Sequence, residues 1–426
     1  MKKRNFYFLE SILTFLYVLV AIGLLSQIPL GDFFNPVSKM IGDFQLTDVV
    51  FSQLRENKTA NEKIVVVNIG LLSRGGIAKQ IEILNKHKPK VIGIDALFRK
   101  PRHSSDPDQD KILIAEDSAL AAALSKVDNI VIVSELIENP ITQKIDSLKM
   151  SHPMFMQHSL TGFADMISEG RDMFKSAREC IPKDIVADTV IYSFPTLLAH
   201  IYDSNAVKKY LARNKDTEII NFEGNIDTRH EGVSSNSKTT FYALDVEQVL
   251  NEEFEPDVVK DKIVIMGFMG PNFNEPSWTD KFFTPLNLNY VGKTYPDMYG
   301  VVVHANVVSM ILRGEFIDEM NSTLNWTMSL ILIFINVWFL TFCFHALKDW
   351  YDGGSNIVTL LLVCLLMFVV VYVFNKYNYK IDVSYLMVAT FLSGNLIEIY
   401  QGVLKMGYIT IKEKIVNWKH KKSTSI

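Results

Sequence analysis

Cysteine is nearly absent from this chain. There are three, and two of them, Cys343 and Cys364, fall inside long apolar runs. Cys180 alone cannot close a disulfide within the region that precedes those runs, so that region must fold around a conventional core. The usual catalytic signatures are missing as well. There is no Gly-x-Ser-x-Gly elbow, no HExxH and no Cys/His cluster, and Gly267–Pro271 does not lead into a Gly-Lys-Ser/Thr phosphate loop. The expectation is no catalytic residue, no metal ligand set and no cofactor. A net charge of −4 without a basic block before residue 405 excludes nucleic acid as a partner.

Charge itself is missing from four windows of roughly 20 residues, the length a helix needs to cross a bilayer. These are Ser11–Leu30, Leu324–Ala346, Ser355–Asn375 and Val383–Leu404, and only the last holds a carboxylate, Glu398. The first follows a basic start, Lys2-Lys3-Arg4, but ends Ser26-Gln-Ile-Pro29-Leu30 without a small-x-small cleavage site, which reads as an uncleaved anchor. Lys2, Lys3 and Arg4 at one end and Lys405, Lys412, Lys414, Lys419, Lys421 and Lys422 at the other place both termini in the cytoplasm. The expected organisation is a cytoplasmic start and first span at 1–30, an extracytoplasmic domain at 31–322, three spans at 323–404 and a basic cytoplasmic tail at 405–426. The expected location is the inner (plasma) membrane of a bacterial cell, with the lipid bilayer as a partner.

What is present in the body is an alternation of strand and helix. Asn35–Glu56 has helical spacing. Lys63–Ile69 is a β-branched run typical of a strand buried on both faces, Gly75-Gly76 opens a helix, and Val91–Asp95 is the next strand. Pro101–Gln109 reads as a polar loop, Asp117–Val127 as an alanine-rich helix and Asn129–Val133 as a strand. Glu138–Lys183, with five methionines, reads as an irregular insertion packed on the sheet or as an adaptable binding surface. Asp188–Ser193, Glu218–Phe222, Thr239–Tyr242 and Lys262–Gly267 are further strands, Glu223–Ser237 is a polar loop, and Thr196–Tyr202 and Asp245–Leu250 are helices. The fold class is therefore α/β, a mainly parallel sheet covered by helices, joined to an α-helical membrane region of four spans.

In such sheets ligands favour the crevice beyond the carboxyl ends of the strands. That edge carries Asn68, Gly70, Asp95, Phe98, Ser134, Glu135 and Gly267–Pro271. Asp95 is the strongest ligand candidate there, because a carboxylate ending a buried strand must find donors or a cation; capping a neighbouring loop is the other reading. Gly267–Pro271 is a turn or a nest of N–H groups for an anion. His304 opens the last body helix, and two readings stand: a hydrogen bond fixing the Asp280–Pro285 loop, or a titrating or metal-binding pair with Asp280. Within the spans, Asn336, Ser393, Gly394 and Asn395 read as helix–helix contacts or contacts to a partner's helices. Tyr408–Trp418 lies on the inner membrane surface or docks a cytoplasmic protein.

The pieces also resemble, in order, the second type of CHASE domain, a sensory extracellular domain associated with cyclases and histidine kinases. The residues that carry the likeness are Ile64–Val67, Gly93–Phe98, Asp117–Leu124, Phe194-Pro195, Gly224, Lys260–Gly267, Asp280-x-Phe-x-Thr284-Pro285 and Gly300-Val-x-Val303-His304-Ala305-Asn306. Together they cover about Phe44 to Gly314. Gly70 departs from the acidic residue often found there, which puts any role of that carboxylate in doubt. The resemblance implies one N-terminal span, an outer domain and three later spans, often followed by a cyclase or kinase. Lys405–Ile426 is too short to hold one, so output is expected from a separate membrane or cytoplasmic signalling protein. The leading reading is a sensor subunit for a small molecule or an envelope component, with Asp95, Phe98, Asp280, Thr284 and His304 as candidate ligand-binding residues and an oligomer allowed. A structural or assembly subunit is the second reading. A third is an extracytoplasmic hydrolase working through Asp280 and His304.

Overall fold

The computed structural model describes residues 2–25, 27, 45–56, 59–142, 144–169, 176–227, 239–275, 277–287, 295–347 and 350–423. The chain divides into two compact units, Met40–Ile317, and Met1–Lys39 with Asp318–Ile426.

The first unit is built on an eight-stranded sheet. Its strands are β1 (Asn61–Asn68), β2 (Val91–Ile94), β3 (Ile130–Glu138), β4 (Ile145–Lys149), β5 (Leu160–Phe163), β6 (Asn225–Ile226), β7 (Thr239–Leu244) and β8 (Ile263–Gly267). They lie in the order β6-β7-β1-β8-β2-β3-β4, with β5 also paired to β3. All pairings are parallel except β3 with β4. The last strand in sequence, β8, thus sits between β1 and β2.

Alternation along the strands feeds two cores. Val65, Val67, Ile92, Ile94, Val264, Met266, Ile130 and Ile132 share one cluster with Ile77, Ile81 and Leu84 of helix α1 (Arg74–Lys86) and Leu120 and Leu124 of helix α2 (Pro107–Ser125). Opposite them lie helix α3 (Phe194–Tyr202) and helix α4 (Gly300–Arg313). Here three glycines set the distance. A Cβ on Gly93 would stand 2.8 Å from Phe194 Cζ, one on Gly162 2.8 Å from Phe194 Cα, and one on Gly267 2.8 Å from Val301 Cβ. The helices rest on bare backbone, and every residue of α4 from Gly300 to Ile311 is buried.

Several expectations need correction. The helix expected at Asp117–Val127 already starts at Pro107, inside the supposed polar loop. Asp106 caps it through Asp108 N–H at 3.0 Å, and Pro107 takes a first-turn position where its missing N–H costs nothing. Glu138–Lys183 is not irregular. It holds β4, β5 and the strands Met166–Glu169 and Ser176–Cys180, of which the last also pairs with Glu218–Ile219. Lys183–Val186 and Thr189–Tyr192 form a hairpin around Ala187 and Asp188, both at positive φ. Of Asn35–Glu56, the structure describes a short helix Leu46–Val49 continued by a π-helical turn Val50–Leu54; residues 35–44 lie outside the described residues, as does most of the loop at 223–237.

In the second unit, Ser322–Leu347 and Tyr351–Tyr377 are long and apolar enough to cross a membrane, by length and composition. They match the middle two windows. The first window falls in the helix Lys2–Leu25, apolar over Glu10–Leu25, and its end beyond Gln27 lies outside the described residues. The fourth is the helix Ser384–Glu398, which runs through a π-helical stretch, Ile399–Lys405, into Met406–Ser423. Glu10, buried at 5% exposure, ties these segments together: it accepts from Lys405 Nζ and lies 3.2 Å from His345 Nε2. Ser393 is bonded within its own helix to Ala389 O, whereas Asn336 is buried with neither amide atom partnered among the described residues.

The glycine seats make a direct prediction. Gly162→Ala puts a methyl against the main chain of α3, which cannot move aside cheaply. It should cost about 1–3 kcal/mol and lower the unfolding temperature of the detergent-solubilised protein. Gly353→Ala, with nothing within 4 Å of the new carbon, should leave it unchanged. Equal melting of both variants would contradict the packing described.

Candidate functional site

Strand β2 ends at Ile94, and Asp95 follows with its N–H donated to Met266 O at 2.8 Å. By alternation Asp95 shares the α4 side with Gly93, and Gly267 makes room for it: a Cβ at Gly267 would lie 3.3 Å from Asp95 Cβ. One turn into α4, His304 is 2% exposed and holds its Nε2 3.9 Å from Asp95 Oδ2. The Phe194 ring meets the imidazole edge-on, centroids 5.3 Å apart. Asp165, just past β5, is near enough for its charge to act on His304, and its carboxylate accepts Leu136 N–H at 2.7 Å.

This contact is not an ion pair at neutral pH. Burial pushes the Asp95 carboxyl up to about 6. Burial also pushes His304 down to about 4, against the pull of Asp165. Asp95 offers no counterweight there, because it is already protonated where the imidazole would titrate. Near pH 7 the site therefore holds an Asp95 anion beside a neutral histidine. Among the described residues no N–H or O–H donates to the Asp95 side chain, and His304 Nδ1 is buried without a partner. Such perturbed groups at the carboxyl edge of a parallel sheet mark a candidate binding site.

The other candidates are elsewhere. Phe98 is 4% exposed in the α1/α2 core, 5.5 Å from the Phe155 ring, with its backbone bonded to Ser151 Oγ and His152 N. Asp280, at φ 58°, accepts Gly300 N–H through its carbonyl at 2.9 Å; its carboxylate lies beside Gly300, where the positive end of the α4 dipole favours an anion. It is His304 and Asp95, rather than His304 and Asp280, that face each other. Thr284 belongs to a loop knot. Its hydroxyl and N–H both donate to Asp297, whose carboxyl burial pushes up to about 6. Ser134 Oγ is buried and unpartnered among the described residues, but alternation puts it on the α1/α2 face with Ile130 and Ile132. Glu135 is engaged by Lys149 at 2.5 Å and Arg99 at 3.5 Å. Among the described residues, no three His, Cys, Asp or Glu side chains are grouped to hold a metal.

Three residues had no role assigned from the sequence, although Asn68 stood on the sheet edge and Asn306 in the matched motif. Asp165 lay in the stretch read as irregular. Asn306, fully buried within an apolar helix, accepts Glu223 and Gly224 N–H and donates to Gly224 O and Val302 O. A lone amide in such a helix was the available signal. Asn68 does the same for the Gly267–Pro271 loop: it accepts Gly70 and Met269 N–H and donates to Asp245 and Gly270 O. That loop is a turn filled by a side chain.

In comparison with known proteins, the family model described as the CHASE2 domain matches residues 19–345. No curated protein and no solved structure gives a match.

The Asp95–His304 pair has a pH signature. Folded Asp95 holds its proton more tightly than the unfolded group, from 3.8 up to about 6. Its contribution to stability is full below pH 3.8 and lost as pH rises through about 6. Folded His304 is depressed from 6.5 to about 4, so its contribution is full above pH 6.5 and lost as pH falls through about 4. Between these limits the slopes oppose. Relative to the parent, Asp95→Asn should make stability rise more with pH across this window, and His304→Gln should make it fall more. Each difference should be on the order of 3 kcal/mol, read from denaturant unfolding at several pH values. Parallel profiles for both variants would refute the assignment.

Proposed function

This chain belongs to the CHASE2 domain family, a family of sensory extracellular domains, and from that premise we propose that it is a non-enzymatic membrane sensor subunit. Four spans hold it, with both termini in the cytoplasm and the α/β domain outside. A small molecule or envelope component binds the outer domain, and a separate protein supplies the output. The observation that carries this reading is the family match, together with the Asp95–His304 site built between the sheet and α4. A ligand at that site would contact a sheet residue and a residue of α4, whose chain continues through Gly314 into Ser322–Leu347. A ligand shifts a two-state equilibrium only by its differential contacts, and a site shared between two elements supplies them.

Two experiments test this. Reporter fusions after residue 314 and after residue 423 should give opposite sidedness, outside and inside; the same side for both would refute the topology. Affinity purification of the intact protein from crosslinked membranes should recover a cytoplasmic kinase or cyclase, and truncation after Lys405 should lose it. Recovery of only an envelope assembly, unaffected by the truncation, would favour the structural-subunit reading.

A further inference from the structure

The site around Asp95 has a definite charge preference. The Asp95 side chain is 17% exposed, so it can be reached from solvent, yet most of it has left water. A carboxylate in that position requires donors or a cation, and none of the described residues gives it either. The His304 imidazole, with Nε2 3.9 Å from Asp95 Oδ2, is 2% exposed, has Nδ1 without a partner among the described residues and packs edge-on against the Phe194 ring. Lys149 and Arg99 face Glu135 rather than Asp95, and Arg74 and Arg102 face Asp117. A second carboxylate, Asp165, is near enough for its charge to act on the same imidazole, and among the described residues it has only backbone donors.

We propose that Asp95 and His304, in the field of Asp165, bind the ammonium group of a small organic amine. A primary ammonium is a compact charge with three N–H donors. Asp95 accepts one, a neutral imidazole nitrogen of His304 accepts another, and the negative field of Asp165 favours the charge as a whole. Anions are disfavoured by both carboxylates. A metal ion lacks a grouped third ligand. A cation here neutralises a largely buried carboxylate that has no donor among the described residues, and it bridges the end of β2 to α4. This names a ligand class for the sensor reading and rests on it only for its physiological meaning.

The probe is n-butylammonium chloride, added to the full-length protein in detergent at about pH 7.5, where Asp95 is ionised. Sodium butyrate, n-butanol, magnesium and zinc salts are the comparisons. The unfolding temperature should rise with the ammonium alone, by mass action. The half-saturating concentration should increase at least about tenfold in Asp95→Asn. That variant removes a buried charge and should fold as well as the parent, so its loss of response is not misfolding. The ammonium effect should fade as pH falls through about 6, where Asp95 takes up its proton. No shift with the ammonium, an equal shift in Asp95→Asn, an equal response to butyrate or butanol, or a response to a divalent metal in its place would each overturn the proposal. Capture of a cytoplasmic partner is read separately, so failure of one experiment does not imply failure of the other.

Discussion

The closeness of α4 to the sheet governs most of what this domain does. A helix can lie on backbone only where the strands beneath it carry no side chains, and Gly267 supplies that gap beneath Val301. The close approach excludes water and strengthens dispersion along the helix. It also fixes polar groups of α4 in a dry environment, where each must be matched or remain costly.

Matched and unmatched groups then have different meanings. Asn306 and Asn68 use their donors and acceptors mostly on backbone groups, Asn68 also on the Asp245 carboxylate, and both act as staples between segments distant in sequence. Asp297 likewise gathers Thr284 and Asn287 around one carboxyl. Asp95 and His304 stand apart because burial acts on them in opposite directions while neither satisfies the other. A structural ion pair would pull both groups toward their charged forms. Here the buried environment favours the neutral form of each, so at neutral pH only Asp95 carries charge. That asymmetry is the reverse of what a stabilising ion pair would show.

Much of the architecture was legible because buried parallel strands are continuous apolar runs; Ile64–Val67, Val91–Ile94 and Ile263–Met266 stand out on composition alone. The early start of α2 was less visible, since Asp, Ser and Pro are common to loops and to helix caps, and only the Asp106-Pro107 order distinguishes them. Strands in 138–183 were hidden because they are short and pair within a local antiparallel patch or at the sheet margin, where no long hydrophobic run is required. The individual site candidates were legible as residue types. Their partnership was not: His304 meets Asp95 across a distance in sequence that only strand order resolves, and Asp280, its nearer neighbour in the motif order, is used at the helix N-terminus instead.

The placement of β8 has a consequence for how the domain is made. β1 and β2 are consecutive in sequence but do not touch; each is bonded to β8. Until Ile263–Gly267 has been synthesised, the sheet exists as two pieces with exposed inner edges. Such long-range closure is slow, and open edges invite pairing with other chains. Assembly of this domain must therefore wait for its last strand, and the interval before that strand arrives is when the nascent chain most needs protection from aggregation.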